Sequence, residues 1–258
     1  METKRKILAI KYRPQIFEDL IGQDIIVEAL KKSIKQNSIP NAYLFTGIRG
    51  VGKTTVARIL AKSLNCLNGE INNCKTNKCN NCEEISESRH IDVLEIDAAS
   101  KTGVEDVRDL IEFSRYPPTS SKFKIFIIDE VHMLSKQAFN ALLKTLEEPP
   151  KYLKFIFATT EVNKIPITVL SRCQRFDLMR VEFEILLKFL KNVLNIEKNN
   201  LPDDVIKLII KISEGSVRDA LSLMDRILLN TSKDNKKVDL KLAYEVFGYL
   251  DKSYLIDL

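Results

Sequence analysis

A glycine-rich loop, GIRGVGKT, offers the clearest chemistry in the sequence, since it fits the pattern G-x-x-x-x-G-K-[ST]. Glycines let backbone amides curl around phosphate groups, and the N-terminus of a following helix adds partial positive charge. Lys53 can reach the outer phosphates of a nucleotide, and the Thr54 hydroxyl can bind Mg²⁺. A short apolar run precedes the loop and an apolar helical pattern follows it, which disfavours a fortuitous glycine turn. The predicted phosphate-binding residues are Gly47, Gly50, Val51, Gly52, Lys53, Thr54 and Thr55.

Two carboxylates follow a second apolar run, where Ile125–Ile128 leads directly into Asp129 and Glu130. A buried strand that ends in two acids places them at the carboxyl edge of a parallel sheet, where α/β proteins bind ligands. Asp129 would hold Mg²⁺, and Glu130 would orient and polarise an attacking water. Two solvated surface acids are the alternative, which the upstream phosphate loop disfavours.

Hydroxyls and arginines form a further set of candidates. Thr159 and Thr160 end another apolar run, where a hydroxyl could bond the attacking water or the γ-phosphate, or could satisfy backbone groups at the strand end. Arg172 follows a predicted helix, and Arg218 lies on the first turn of another, after the predicted N-cap Ser216. Arginine stabilises the charge of a transferring phosphoryl group. Spacing alone, however, favours ordinary surface salt bridges for both arginines.

Four cysteines, separated by seven, four and two residues, lie shortly after the glycine loop: Cys66, Cys74, Cys79 and Cys82. Four thiolates can surround one tetrahedral Zn²⁺ and leave no position open for catalysis. Disulfides are disfavoured in a reducing compartment, whereas an iron–sulfur cluster or free thiols remain alternatives. We expect residues 66–82 to form a surface insertion that its metal folds, so that metal removal leaves nucleotide binding largely intact.

The elements that must position these residues alternate along the chain. Apolar strand patterns at 42–45, 92–97, 124–130 and 154–160 are separated by helical patterns, which predicts an α/β fold with a mostly parallel sheet flanked by helices. After about residue 180 only helical patterns remain. We expect a nucleotide-binding domain at 1–180 with the cysteine module inserted, a small all-helical domain at 181–243, and the start of a truncated helical domain at 244–258.

Composition excludes some classes of protein. The 258 residues are 45% hydrophobic and 29% charged, as in ordinary globular proteins, with no apolar run long enough for a membrane span or a signal peptide. We therefore expect a cytoplasmic protein without a membrane partner. The formal net charge of +5 does not by itself indicate nucleic acid.

Together these strings resemble the AAA+ clamp loaders, which carry similar segments at YRPQIFEDLIGQ, GIRGVGKTT, IDEVHMLSKQAFNALLKTLEEPP, FATT, LSRCQRF and GSVRDALSL. The resemblance implies an AAA+ P-loop domain with a zinc insertion and a helical lid. It further implies a Mg²⁺-dependent ATPase that opens a sliding clamp and loads it on primer-template DNA. In that family, three ATPase copies join two related subunits in a five-membered ring.

The resemblance also implies roles for single residues. Lys53 and Thr54 would act in the phosphate loop, and Asp129 and Glu130 would form the Walker B pair. Thr160, with Thr159 as the alternative, is similar in place to the residue that senses the γ-phosphate. Two arginines complete the set, namely Arg218 as a second sensor in the lid and Arg172 as an arginine finger acting on the adjacent subunit.

Two further contacts are implied less directly. Tyr12, Arg13 and Pro14 resemble a segment that lies against adenine and ribose, with core packing as the alternative. Helix starts inside such rings follow DNA phosphates, which makes Lys101, Thr102, Lys136 and Gln137 candidate DNA contacts or simply solvated residues. Other interpretations are a different AAA+ motor, such as a Holliday-junction helicase, or an ATP-gated scaffold without turnover.

Overall fold

Five parallel strands form the sheet of the larger of two units in this computed structural model, which describes residues 7–69, 74, 78–100, 103–234 and 239–248. The strands are β1 (Ala42–Thr46), β2 (Val93–Asp97), β3 (Lys124–Asp129), β4 (Leu153–Thr159) and β5 (Gln174–Asp177). Their order across the sheet is β2-β3-β4-β1-β5, and every neighbouring pair is parallel. The predicted α/β class is therefore confirmed.

Helices cover both faces of this sheet. They are α2 (Asp24–Lys35), α3 (Lys53–Asn65), α4 (Asn80–Ser86), α5 (Val104–Ser114), α6 (Lys136–Glu147) and α7 (Ile167–Leu170). Alternation along a strand sends successive side chains to opposite faces. In β3, Ile125 and Ile127 pack in the core that contains α2 and α3, whereas Phe126 and Ile128 pack in the core that contains α5 and α6. The three central strands, β1, β3 and β4, are thus buried on both sides, which explains their continuous apolar runs.

The smaller unit combines the described parts of Met1–Arg13 and Arg180–Leu258, while Pro14–Met179 form the larger one. It contains α1 (Leu8–Lys11), α8 (Phe183–Ile196), α9 (Asp203–Ser213), α10 (Val217–Asp234) and α11 (Leu240–Phe247). The four-residue helix α1 packs against α10. The sequence-based boundaries had instead placed residues 1–13 with the sheet. Residues 249–258, most of the predicted third domain, lie outside the described residues.

Two serines cap helices of the structure, and one of them, Ser216, was predicted. The Ser135 hydroxyl accepts a bond from the backbone N–H of Ala138 at the start of α6. Ser216 accepts one from the N–H of Asp219 at the start of α10. Within the described part of the chain, no helix combines the length and the apolar character that crossing a membrane requires.

Candidate functional site

The phosphate loop connects the end of β1 to the start of α3, as predicted. Gly47, Gly50 and Gly52 have φ of 140°, 81° and 107°, a region that side chains with a Cβ rarely adopt. A Cβ on Gly47 would also lie 2.6 Å from the carbonyl oxygen of Leu178. The loop conformation therefore requires glycine at this position on two independent grounds.

Lys53 is folded back into the loop and is only 5% exposed. Its Nζ donates to the carbonyl oxygens of Gly47 (2.9 Å) and Ile48 (3.0 Å). Burial lowers the pKa of Lys53, and the charges of Glu130 and Asp129 oppose that shift. The loop thus encloses one cation close to two carboxylates.

Thr54 and Asp129 meet at the edge of the sheet. The Thr54 hydroxyl donates to Asp129 Oδ2 at 2.5 Å, and Asp129 Oδ1 accepts from the backbone N–H of Glu130 at 3.0 Å. A hydroxyl and a carboxylate oxygen beside a phosphate loop are the donor set that Mg²⁺ prefers. Thr54 and Asp129 would therefore be the residues that hold this ion.

Glu130 follows β3 in the left-handed region, with φ 47° and ψ 45°. This conformation is costly for a residue with a side chain and is often found at functional sites. Its carboxylate accepts from the backbone N–H (3.1 Å) and the hydroxyl (3.0 Å) of Thr160. His132 Nδ1 lies 3.3 Å from the same oxygen. Thr160 and His132 therefore fix the position of the carboxylate that was predicted to orient water.

The two candidate sensor threonines have different environments. Thr159 is fully buried at the end of β4, and its hydroxyl bonds His132 Nδ1 at 3.0 Å. Thr160 is exposed and bonds Glu130 directly. His132 links Thr159 to Glu130, a role that sequence reasoning missed because only proximity in space reveals it.

Arg172 follows α7 and is held by residues outside the phosphate loop. Its Nη2 pairs with Glu147 Oε1 at 2.5 Å, and its Nη1 donates to the carbonyl oxygen of Thr168 at 2.5 Å. Both partners lie in the larger unit, at the end of α6 and within α7. The structure therefore brings Lys53, Thr54, Asp129, Glu130 and Thr160 together, and places Arg172 in a separate ion pair.

Arg218, Tyr12 and Arg13 belong to the smaller unit, whereas Pro14 begins the larger one. Arg218 lies on the first turn of α10, as predicted. The Tyr12 hydroxyl donates a short hydrogen bond to Glu197. Burial, together with that bond and charge, raises the pKa of Tyr12 to about 12.

The candidate DNA contacts are described in part. Lys136 and Gln137 are exposed on the first turn of α6, directly after the cap Ser135. Exposed N–H groups and a lysine at a helix start suit an anionic ligand. Lys101 and Thr102 lie outside the described residues.

The four cysteines form one cluster in space. The sulfur atoms of Cys66, Cys74, Cys79 and Cys82 all lie within 4.8 Å of one another, and those of Cys66 and Cys74 are 3.3 Å apart. Four sulfurs around a tetrahedral zinc, each at about 2.3 Å, would be roughly 3.8 Å apart. The donor set and its spacing therefore fit a closed metal site.

The thiols in this cluster differ in acidity. Burial and a bond with Cys74 raise the pKa of Cys66 to about 11, and burial also raises that of Cys82. Burial alone would raise the pKa of Cys79, but bonds from the backbone N–H groups of Cys82 and Leu67 bring it to about 7. Of Cys66, Cys79 and Cys82, Cys79 is therefore the thiol that loses its proton most easily.

The expectation of a surface insertion is wrong for the end of the cysteine segment. Cys82 is 2% exposed, and Ile85, in the same helix α4, belongs to the core on the α3 side of the sheet. The Asn81 amide donates to the carbonyl oxygen of Asn65 at 3.1 Å, which ties α4 to the end of α3. Polar, asparagine-rich sequence concealed this contact, because its amides replace apolar packing with specific hydrogen bonds.

Comparisons with known proteins agree with this geometry. The profile of the family described as "DNA polymerase III, delta subunit" matches residues 22–182. The gamma subunit of DNA polymerase III from Buchnera aphidicola subsp. Schizaphis graminum is 47% identical over 96% of this chain and 68% of its own length. The chain belongs to the DNA polymerase III gamma/tau family.

Longer relatives of the same family are matched over part of their length. The tau/gamma subunit of Haemophilus influenzae is 43% identical, and the tau subunit of Escherichia coli is 45% identical, each over 98% of this chain. The chain spans 36% and 39% of those two relatives.

Solved structures confirm the AAA+ fold. The Holliday junction branch migration motor RuvB of Thermotoga maritima aligns with a TM-score of 0.67 at 17% identity, over 94% of this chain and 76% of that one. At this identity the likeness concerns the fold alone.

Proposed function

We propose that this chain is an ATPase motor of the DNA polymerase III clamp loader, acting in the cytoplasm. The observation that carries the proposal is the contact between Thr54 and Asp129 beside the phosphate loop, in a chain of the gamma/tau family. In this proposal ATP binding opens the sliding clamp, and hydrolysis leaves the clamp closed on primer-template DNA.

The residues divide the work by position. Lys53 and the loop amides would bind the outer phosphates. Thr54 and Asp129 would hold Mg²⁺, whose positive charge would offset the negative charge of the phosphates. Glu130, fixed by Thr160, orients the attacking water and accepts its proton. Arg218 in the lid would sense the same nucleotide, and Tyr12, Arg13 and Pro14 would lie against its adenine and ribose.

Arg172 would act on ATP bound by the neighbouring subunit of a five-membered ring that contains related subunits. Its side chain is 32% exposed, and its partner Glu147 is 49% exposed, so the pair is open to solvent and weak enough to exchange. An arginine supplied by a neighbour increases turnover by about 10³–10⁵. A chain without that neighbour should therefore hydrolyse ATP slowly.

The cysteine cluster would hold Zn²⁺ as a structural ion. Four buried or half-buried thiols with the spacing observed here suit tetrahedral zinc and leave no open position. Metal analysis of the purified chain should find about one zinc per chain; iron with visible absorption bands would instead indicate an iron–sulfur cluster.

ATPase turnover of the chain tests the motor, measured alone and then with partner subunits, sliding clamp and primed DNA. We expect slow turnover alone and strong stimulation only when all components are present. ATP binding without turnover in the full assembly would support an ATP-gated scaffold. Branch migration of a four-way junction would support a helicase of the RuvB type. Either result would contradict the proposal.

A further inference from the structure

Lys62 joins three separate segments of the larger unit through one buried ammonium group. It lies on α3 and is 3% exposed. Its Nζ donates to the backbone carbonyl oxygen of Gln15 (2.6 Å), to Gln15 Oε1 (3.0 Å) and to Ser86 Oγ (3.4 Å). Burying a cation costs free energy unless its N–H groups are hydrogen-bonded. The burial of Lys62 therefore depends on the positions of these acceptors.

Ser86 connects this lysine to the cysteine cluster. The Ser86 hydroxyl lies 2.7 Å from the carbonyl oxygen of Cys82 and 3.2 Å from Gln15 Oε1. Cys82 is one of the four clustered cysteines, and Ser86 is the last residue of α4. One hydroxyl therefore separates the backbone of a cluster cysteine from the ammonium group of Lys62.

Gln15 connects the same lysine to the nucleotide site. It directly follows Pro14, the last residue of the segment proposed to lie against adenine and ribose. Ile16 and Phe17, which follow it, are buried at 3% and 2% exposure. Lys62 also shares α3 with Lys53, about 13 Å along the helix at 1.5 Å per residue. One helix thus carries the first residue after the phosphate loop and also binds Gln15, the residue that follows Pro14.

We propose that Lys62 is a positioning residue through which the four-cysteine cluster strengthens nucleotide binding. When metal binds the four cysteines, the carbonyl oxygen of Cys82 fixes the position of the Ser86 hydroxyl. Ser86 and Lys62 then keep Gln15 in place through their hydrogen bonds to it. When metal is lost, α4 loses that restraint and the segment ending at Pro14 becomes less ordered. The inference rests on the proposed function, because it assigns the cluster a role at the proposed ATP site. It replaces the sequence-based expectation that metal removal leaves nucleotide binding largely intact.

Because of thermodynamic linkage, the coupling can be measured in two ways, as a change in nucleotide affinity and as a change in metal affinity. If metal strengthens nucleotide binding by some factor, nucleotide must strengthen metal binding by the same factor. We expect a factor of about five or more, at the low end of typical couplings between sites.

The first measurement is the dissociation constant of fluorescent ADP for chain loaded with Zn²⁺ and for chain stripped of it. The variants are Ser86→Ala and Lys62→Met, which remove the link. Ser63→Ala is the matched control, since its hydroxyl also bonds the carbonyl oxygen four residues earlier, Ile59, at 2.8 Å. We expect stripping to weaken ADP binding about fivefold or more in the native chain and the control, and less than about twofold in the two variants.

The second measurement is the affinity for Zn²⁺ in competition with a chelator, with and without ADP. It begins from loaded, folded chain. ADP should strengthen Zn²⁺ retention by the same factor in the native chain and in Ser63→Ala, but not in Ser86→Ala. Equal retention with and without ADP in the native chain, or full coupling in Ser86→Ala, would overturn the inference alone. Failure of the loaded native chain to bind ADP would overturn the proposed function together with it.

Discussion

The hydroxyl of Thr54 donates to the carboxylate of Asp129 at 2.5 Å, although 75 positions separate the two residues in the sequence. Thr54 lies on the first turn of α3, and Asp129 is the last residue of β3. The contact therefore joins the phosphate loop to the acidic edge of the sheet. It marks the point where the proposed Mg²⁺ would bind.

Replacing Thr54 with Val should remove one Mg²⁺ ligand while preserving shape. We expect ATP turnover to fall by about 100-fold or more, since metal stabilisation of phosphoryl transfer is worth several kcal/mol. Turnover as a function of Mg²⁺ concentration measures the effect. Thr54→Ser keeps the hydroxyl and should stay within a few-fold of native. Full Mg²⁺-dependent activity in Thr54→Val would remove Thr54 from the metal site.

Thr160→Val and Thr159→Val should separate catalysis from stability. Thr160 bonds the carboxylate of Glu130, so its loss should lower the rate constant for hydrolysis by about tenfold or more, as for one hydrogen bond to a charged group. Thr159 is fully buried and bonds His132, so its loss should mainly lower the free energy of unfolding, by about 1 kcal/mol. Single-turnover hydrolysis and denaturant unfolding test both variants. The reverse result would make Thr159 the sensor.

Arg172→Ala should act on the neighbouring subunit. In a reconstituted ring we expect turnover to fall by about 10³-fold or more, while nucleotide affinity measured on the isolated variant stays near native. Arg89→Ala is a suitable control, since Arg89 pairs with Glu87 in an exposed ion pair. Strong turnover by the isolated native chain would contradict an arginine finger supplied by a neighbour.

Lys136→Ala should weaken DNA binding at every sequence and reduce the slope of log affinity against log salt concentration by about one. The matched control is Lys144→Ala, in the last turn of the same helix, which should leave the slope unchanged. Lys101→Ala is expected to behave like Lys136→Ala. An unchanged slope in Lys136→Ala would remove the start of α6 from the DNA contact.

Metal affinity of the cysteine cluster should fall as pH falls, because thiolates bind metal and protons compete for them. The pKa of Cys79 is about 7 and that of Cys66 about 11. Above about pH 7, Cys79 is already a thiolate, whereas below it Cys79 must also lose a proton. We therefore expect a steeper loss of affinity below about pH 7. Competition titrations with a zinc chelator between pH 6 and 8 measure it, and a slope that stays constant would contradict the low pKa of Cys79.

The strong local signals in the sequence predicted most of the sheet and its acidic edge. Strands β3 and β4 are buried on both faces, so their continuous apolar runs were recognisable. Strand β5 was not predicted, because only Phe176 of its four residues is buried and the others read as polar loop. Its pairing with β1 becomes visible only when the sheet is assembled.

The residues of the site were also predicted only where the sequence carries a local signal. Glycines and charged residues in contiguous motifs were predicted, since the motif itself carries the chemistry. The partners His132, Glu147 and Gln15 were not predicted, because each acts through a contact with a distant part of the chain. Such contacts depend on packing and leave no local pattern.

The smaller unit contains both α1 and the helices after residue 180, so the chain crosses between the units twice, near Pro14 and near Arg180. Leu8 is 2% exposed, and Lys11 pairs with Glu197 at 2.6 Å. A protease that cleaved the chain only near Arg180 would therefore not set the C-terminal helices free. The two fragments would stay associated, because α1 would still pack against the C-terminal helices. A second cleavage near Pro14 would be needed to separate the larger unit from the smaller one.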